Sequence, residues 1–516
     1  MEVPDIVSET LTDGSRVKQV RSRDLRPFQD WMQYPGYVLS LAMSISLWFI
    51  AIRAPLWLDE TISFWQIHAG FSGIWHRQGL TFPAYSYILW LGSVILGTSE
   101  VALRIPEILA MLGAVYLLYR AAWELFRDRD VAFVTAIVFS LHPLVIFAAI
   151  DVRPYAFGAM ALNASILALV RMRHSESLWL AAFFGALGAF IVYFHFLMIV
   201  VLPALAIAFV ALKIGDPRAL WRQGGMALVT FALAFLPVIP GLLMMFRTSG
   251  DHAWSGAPQL SDLVWTLAPG WLAYIFIATF LVAIVTRKFN LKSGLEAWGI
   301  VLIASSALIP ILILYYVSTE TSIHVFIYRY RLVAIPGIAL CWGWIVSRVD
   351  SRALRLVFCM ALVGSVVYQS WSFPASRQHG YTWKYALEAA ENNASVDNAT
   401  VLMCSDLPEA DHTSMPVGAA VKDSTYFAPL TYYQLTVPVV GLPRALNDQA
   451  TRMVSSFFQE PQRRHERFLA LGFVPSYKTL TFVEQNALAT HRVRVLGTFD
   501  GIRVLEFTPR ETNAAD

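Results

Sequence analysis

Charge is what this 516-residue chain has least of. Asp, Glu, Lys and Arg make up 15% of it against 57% hydrophobic residues, where a soluble domain is about a quarter charged. That scarcity excludes a single soluble core. With a mean hydropathy of +0.54, it indicates a polytopic α-helical membrane protein. Cysteine is nearly absent. Cys341, Cys359 and Cys404 are odd in number and lack paired spacing, which excludes a disulfide framework and a thiolate metal cluster. A formal net charge of +3 is too small to draw a polyanion, so no nucleic-acid partner is expected. Internal repeats and low-complexity segments are also absent.

What is present is a series of apolar runs. A spanning helix needs roughly 20 mostly apolar residues, and the sequence predicts about eleven spans, near 36–53, 104–121, 131–150, 155–170, 178–194, 196–213, 226–246, 263–286, 296–317, 332–347 and 354–371. The first run follows a basic leader, residues 1–35, with no small-residue cleavage site, and is expected to be retained. Residues 372–516 hold no such run and are expected to form a soluble domain. Lys and Arg bias orients the chain. Arg16, Lys18, Arg21, Arg23 and Arg26 precede the first span, and the clusters at Arg120/Arg127/Arg129, Arg171/Arg173, Lys213/Arg218/Arg222, Arg287/Lys288/Lys292 and Arg348/Arg352/Arg355 fall on the same side. That side is expected to be cytoplasmic. A long first loop, 54–103, and the C-terminal domain then lie outside. Counting Phe82–Gly97 as a twelfth span would reverse every later loop, so this segment is expected to be interfacial or re-entrant.

The C-terminal region predicts a small α/β domain. "TWKYALEAAENNA" is helical in pattern and "ATVLMCSD" strand-like, while "RVRVLGTFDGIRVLEFTP" holds two β-rich runs around a Phe-Asp-Gly turn. Asn393 and Asn398 begin glycosylation-acceptor triplets, a short motif that recurs by chance.

The polar residues that call for an explanation gather at the outer ends of the spans. "WLDE" sets Asp59 and Glu60 beside Trp57. "AAIDVRPYAF" carries Asp151, Arg153 and Tyr155 between two spans. Arg104 lies with Glu107 at the start of a span, and His195 at a tight turn. "STETSIHVFIYRYRL" carries Glu320, His324, Arg329 and Arg331. Ionisable groups at membrane depth usually face a partner or a water-filled cavity. Each also has a plainer reading. Arg104 and Glu107, at i and i+3, can pair with each other. Arg153 can anchor at the headgroups, and the other two arginines can mark a boundary. His195 can be packed, with no second His at metal-ligand spacing on a shared helix face. Asp59 resists such a reading, because a neighbouring acid, an apolar flank and two nearby Trp do not suit a merely solvated loop.

A carboxylate against an apolar face gains affinity for protons and can act as a general base. Arginines offer forked donors matched to phosphate oxygens. Together they suit group transfer from a phosphate leaving group to a hydroxyl. The carboxylates would also accept a divalent cation, although no dedicated ligand set is visible and no metal ligand is assigned.

The stretches "APLWLDETISFW", "FPAYSYILWLGSVILGTSEVALRIPEILAMLGAVYLLYRAAWELF", "HPLVIFAAIDVRPYAFGAMAL" and "YRYRLVAIPGIAL" resemble, in order and spacing across about 36–371, the GT-C membrane glycosyltransferases. The likeness is to the glycosyltransferase 39/83-like group, which includes protein O-mannosyltransferases and the aminoarabinose transferase of lipid A. The resemblance implies an inverting transfer from a polyprenyl-phosphate sugar to a protein, lipid or polysaccharide acceptor on the exoplasmic face. It implies Asp59 as base with Glu60 as helper or substitute, and Arg104, Arg153, Tyr155, Arg329 and Arg331 at the donor phosphate. Trp57, Asp151, His195, Glu320 and His324 would line the substrate cavity. One departure is Phe82-Pro83-Ala84, where many relatives carry a double proline. The rival reading is a transporter or flippase of lipid-linked glycans, though the internal repeats that mark many carriers are not evident.

Overall fold

The computed structural model describes residues 34–77, 84–247, 256–290, 295–371, 382–473 and 477–510. The basic leader, Phe82-Pro83 and Lys292 lie outside the described residues.

The helical module opens with α1 (Pro35–Ser46), which tightens into a 3-10 turn over Leu47–Ala51. Three shorter helices follow: α2 (Leu58–His68), α3 (Gly70–Arg77) and α4 (Ala84–Leu96). Next come α5 (Glu100–Phe126), α6 (Arg129–Leu141), α7 (Pro143–Ala149), α8 (Tyr155–Met172) and α9 (Leu178–Phe194). They are followed by α10 (Leu202–Lys213), α11 (Pro217–Phe235), α12 (Ile239–Arg247), α13 (Leu260–Leu267) and α14 (Gly270–Val285). The module ends with α15 (Ala297–Glu320), α16 (Ile335–Val346) and α17 (Arg352–Trp371).

Local chemistry sets these limits. The Ser99 hydroxyl accepts from the Ala102 amide at the start of α5, and the Asp128 carboxylate takes the Asp130 and Val131 amides before α6. Ser177 and Asp216 cap α9 and α11 in the same way. Each cap satisfies amides that the first turn leaves free. Pro143, which has no N–H to give, opens α7, and α6 and α7 meet at 69°. Pro269 precedes α14, which is bent 52° from α13.

Among the described residues six helices are long and apolar enough to cross a membrane by length and composition, or eight if each bent pair is one span, out of the eleven expected runs. The other apolar runs form helices that are short or change geometry partway, as α1 does at Leu47 and as α16 does after a 3-10 turn over Tyr328–Ala334. Helix α4 has 13 residues. At 1.5 Å per residue it is about 20 Å long, short of the roughly 30 Å hydrocarbon core.

Burial sorts the helices. The apolar window of α8 is 83% buried, and Asn163 reaches across it to the Ala114 carbonyl of α5 at 2.9 Å. The window running through α11 and α12 is only 11% buried, with Leu228, Leu233 and Leu236 turned outward. A helix so apolar and so uncovered is suited to lipid. The protein is thus a multi-pass membrane protein.

The soluble domain runs α18 (Lys384–Ala394), β1 (Thr400–Cys404), α19 (Pro429–Tyr432), β2 (Val439–Leu442), α20 (Asp448–Gln459), β3 (Phe468–Phe473), α21 (Tyr477–Ala487), β4 (His491–Phe499) and β5 (Ile502–Pro509). The sheet order is β2-β1-β3-β5-β4. The first three strands are parallel, and β5 joins β3 and β4 antiparallel. Strand side chains alternate between faces. Val401 and Met403 therefore enter one core with α18, while Leu402 and Cys404 enter a second with α20 and α21. Asp500 and Gly501 turn the β4–β5 hairpin with φ of 47° and 88°. Two positive φ values suit the tight hairpin turn, and Asp-Gly is among its preferred pairs.

The domain is clamped onto the segment that follows α1. Trp57 pairs as an antiparallel bridge with Thr382. The Leu56 amide donates to the Tyr433 hydroxyl at 2.7 Å, and the Trp65 indole to the Asp423 carbonyl at 2.8 Å. Arg77 pairs with Asp423 at 2.6 Å and Lys384 with Glu100 at 3.2 Å. Leu58 belongs to the same apolar core as Trp383 and Val401.

Candidate active site

The site is built on the first turn of α2. Trp57 is the N-cap, and the Glu60 carboxylate reaches back to the Trp57 amide at 3.2 Å. Two acids in a first turn favour the positive end of the helix dipole. They point to different places and do different things.

Glu60 points inward, with no exposed surface. It accepts from the Val152 amide at 2.9 Å and from Arg104, whose Nη2 lies 2.9 Å from Oε2. The rest of Arg104 is equally occupied. Its Nε reaches Glu60, and its Nη1 donates to the carbonyls of Ile52 at 2.8 Å and Ala54 at 2.6 Å. Nη2 also lies 3.5 Å from the Pro55 carbonyl. The five N–H groups of Arg104 thus face protein acceptors, and Glu60 and Arg104 form a buried brace that joins the exit of α1, the start of α2, α5 and the Asp151–Pro154 turn. The i, i+3 pairing of Arg104 with Glu107 is not made. Glu107 instead accepts from the Tyr85 hydroxyl at 2.6 Å, with its second oxygen buried and unpartnered.

Asp59 points the other way, with its side chain 14% exposed. Arg329 Nη1 lies 2.7 Å from Oδ2, and Arg153 Nη2 lies 3.9 Å from the same oxygen. Arg153 also donates to the Asp59 carbonyl at 3.3 Å. The Arg329 guanidinium sits 5.2 Å from the Trp57 ring centroid, and the Trp57 indole donates to Asp151 Oδ1 at 2.9 Å. Burial, and next the Glu60 charge, push the Asp151 carboxyl upward. Among the described residues Arg153 Nε, the Tyr155 hydroxyl and Asp151 Oδ2 are buried here and find no partner. Orphaned buried groups are rare, and their gathering around one ion cluster is what a ligand site leaves behind. Tyr155, Tyr330 and His195 form an aromatic wall, with His195 at 5.2 Å and 5.1 Å from the two rings. Arg329 and Arg153 face Asp59, and Asp151, whose charge burial disfavours, also lies within electrostatic reach of both.

The remaining predicted residues lie elsewhere. Arg331 turns to α13, donating to the Asp262 carbonyl at 3.2 Å and the Thr266 hydroxyl at 3.0 Å. Glu320 is exposed at the end of α15, and His324 lies 2.9 Å from the Ser318 carbonyl. Among the described residues no three His, Cys, Asp or Glu side chains gather as a metal would need.

One acid was not foreseen. Asp406, just past β1, feels both Arg444 and Asp59. Burial pushes its carboxyl up to about 7, with Arg444 opposing and Asp59 adding to the rise. No local pattern announces it, since Asp59 lies some 350 residues earlier and Arg444 past the next strand. A carboxyl raised in the fold binds its proton more tightly folded than unfolded, so its contribution to stability is present below about pH 4 and is lost as pH rises through about 7. Asparagine imitates the protonated form. The melting temperature of Asp406→Asn relative to the parent protein is therefore expected to climb between pH 5 and pH 8, followed by differential scanning fluorimetry in detergent. A gap that does not change with pH tells against the shifted carboxyl.

Residues 81–243 match the family described as dolichyl-phosphate-mannose-protein mannosyltransferase. Two crystal structures of ArnT from Cupriavidus metallidurans share the fold. The apo form aligns with a TM-score of 0.54 at 13% identity, and the form bound to undecaprenyl phosphate with 0.53 at 12%. Each alignment covers 93% of this chain and 98% of the other. No curated protein matches the chain. The family match spans residues 81–243 alone, and the likeness to the two structures is one of fold.

Proposed function

We infer that the chain moves a sugar from a polyprenyl-phosphate donor to an acceptor hydroxyl on the exoplasmic face of the membrane, with inversion at the anomeric carbon. The observation that carries this reading is the Asp59 carboxylate held between Arg329 and Arg153, at the end of the bundle onto which the soluble domain docks. In this reading the eleven apolar runs set the N-terminus in the cytoplasm and the soluble domain outside.

The chemistry follows from the charges. An arriving phosphate competes with Asp59 for the two guanidinium groups, whose forks match phosphate oxygens. The unpartnered Arg153 Nε and Tyr155 hydroxyl are further donors for it. As the arginines turn to phosphate, Asp59 is released to accept a proton. It takes that proton from the acceptor hydroxyl while the oxygen attacks the anomeric carbon from the face opposite the phosphate. The bond from that carbon to the phosphate oxygen breaks, and its electron pair stays on the phosphate. Arg153 and Arg329 stabilise the charge that develops there. The products are a glycosidic bond and the polyprenyl phosphate.

The purified protein in nanodiscs, given undecaprenyl-phosphate sugars and an acceptor panel, should form a new glycosidic bond detectable by mass spectrometry. Movement of labelled lipid across the bilayer without bond formation would favour a flippase instead. Arg329→Ala is expected to weaken undecaprenyl phosphate binding about 10- to 100-fold, from about 1.5–3 kcal/mol for a hydrogen bond to a charged group. Arg329→Lys restores only part, because it keeps the charge but loses the fork. Thermophoresis in nanodiscs reads both, and affinity equal to the parent in Arg329→Ala removes Arg329 from the phosphate site.

A further inference from the structure

One turn of α5 beyond the brace lies a carboxyl that the chemistry above does not use. Glu107 follows Arg104 by three residues on the same helix, about 4.5 Å along its axis. It has no exposed surface. Arg104 gives its charge to Glu60. Glu107 instead takes a neutral donor, the Tyr85 hydroxyl of α4, on Oε1 at 2.6 Å. Its Oε2 is buried and finds no partner among the described residues. An acid buried at membrane depth is costly and usually marks function.

Holding α4 against α5 does not account for it. Gly92 of α4 lies so close to Pro106 of α5 that an added Cβ would stand 2.8 Å from the Pro106 Cγ, and Leu89 is fully buried. The two helices are thus joined by packing. A leucine facing a phenylalanine would serve them without an orphaned oxygen. What Glu107 adds is an acceptor beside the ion cluster. Glu60, held by Arg104, takes the Val152 amide between Asp151 and Arg153. Glu107 lies within electrostatic reach of Glu60 and Asp151. The Tyr85 ring meets Phe157 edge-on at 6.0 Å, and Phe157 meets Phe194 at 5.5 Å. Phe157 follows Tyr155 by two residues and Phe194 precedes His195, so this layer adjoins the aromatic wall.

The unpartnered atoms divide by chemistry. Arg153 Nε and the Tyr155 hydroxyl can donate to a phosphate. Asp151 Oδ2 and Glu107 Oε2 are carboxyl oxygens, which a phosphate avoids. A sugar hydroxyl both donates and accepts, so it satisfies a carboxyl oxygen whether that carboxyl is charged or protonated. We propose that Glu107, positioned by Tyr85, binds a hydroxyl of the donor sugar and so determines which sugar the protein takes. This rests on the transferase reading above and names the sugar-reading group of that same site. Tyr85 is a positioning residue: its hydroxyl occupies Oε1, which leaves Oε2 for the ligand. A sugar that lacks the matching hydroxyl leaves the carboxyl buried and unpaired, and sites of that kind discriminate strongly.

The test uses the full chain in nanodiscs, with undecaprenyl phosphate and with undecaprenyl phosphate carrying mannose, glucose, galactose or arabinose. At least one sugar-bearing lipid is expected to bind the parent about tenfold tighter than the sugar-free lipid, as a hydrogen bond to a charged group gives. The double variant Tyr85→Phe with Glu107→Leu removes both partners, so it should melt near the parent. It should bind undecaprenyl phosphate as the parent does and lose the preference for the sugar-bearing lipid. If it does not fold, Glu107→Gln, which keeps the shape and loses the charge, carries the comparison with a smaller loss. A preference that survives in the variant overturns the proposal. So does a loss that falls equally on the sugar-free lipid, because a purely structural role moves both lipids together. A parent that prefers none of the four sugars also overturns it. If undecaprenyl phosphate does not bind the parent, the transferase reading itself fails and this proposal falls with it.

Discussion

Replacing Asp59 with asparagine is expected to cut transfer by about 10²- to 10⁴-fold, the span of a general base, while tightening the hold on undecaprenyl phosphate. The two effects share a cause. Asparagine has the size of aspartate but cannot take the acceptor proton, so the chemical step slows. It also no longer holds Arg329, now 2.7 Å from the carboxylate, by charge. A phosphate then meets arginines that need not leave a partner. Freeing a partly exposed ion pair is worth about 1 kcal/mol, or roughly fivefold in affinity. Radiolabel transfer reads the first effect and lipid titration the second. Turnover equal to the parent protein removes Asp59 as the base. Weaker lipid binding would mean that Asp59 orders the arginines for the phosphate rather than competing with it.

Asp59 stands out in the sequence because its context is local. An acid wedged between Trp57 and Trp65 beside an apolar run is conspicuous in the sequence alone. Arg153 and Tyr155 were legible for the same reason, lying together in a short turn between spans. The plainer pairing of Arg104 with Glu107 is not the one made, because the local rule is weaker than the tertiary one. Spacing of i, i+3 offers it Glu107, but the fold brings Glu60 from 44 residues earlier, and Glu107 goes to Tyr85. Arg331 was grouped with Arg329 by sequence, yet the 3-10 turn over Tyr328–Ala334 sends the two in different directions. The helix count differs where runs are short: those at 36–53, 178–194 and 332–347 form helices below the length of a full span, whereas Pro143 and Pro269 bend single runs without changing their number. Asp406 meets the charge of Asp59 only where the soluble domain docks beside α2, while Arg444 comes from its own domain.

The largest effect on stability is expected at the buried brace rather than at Asp59. Removing one partner of a buried ion pair leaves the other charged, desolvated and unmatched, which costs about 3–5 kcal/mol. Glu60→Ala additionally strips the acceptor from the Trp57 and Val152 amides, and a lost helix cap costs about 1 kcal/mol more. Since Val152 adjoins Arg153, and Glu60 adjoins Asp59, activity should fall along with stability. The double variant Glu60→Gln with Arg104→Met, which leaves no lone charge, should recover part of the loss, as measured by thermal unfolding in detergent. Arg104→Lys separates a structural role from a phosphate-binding one. Lysine cannot span Glu60 and three carbonyls with one ammonium, so the protein should melt earlier while its folded fraction binds undecaprenyl phosphate as the parent does. A lysine variant that melts normally but loses the lipid would return Arg104 to the phosphate, and the brace would then have to be carried by Glu60 through the backbone amides alone.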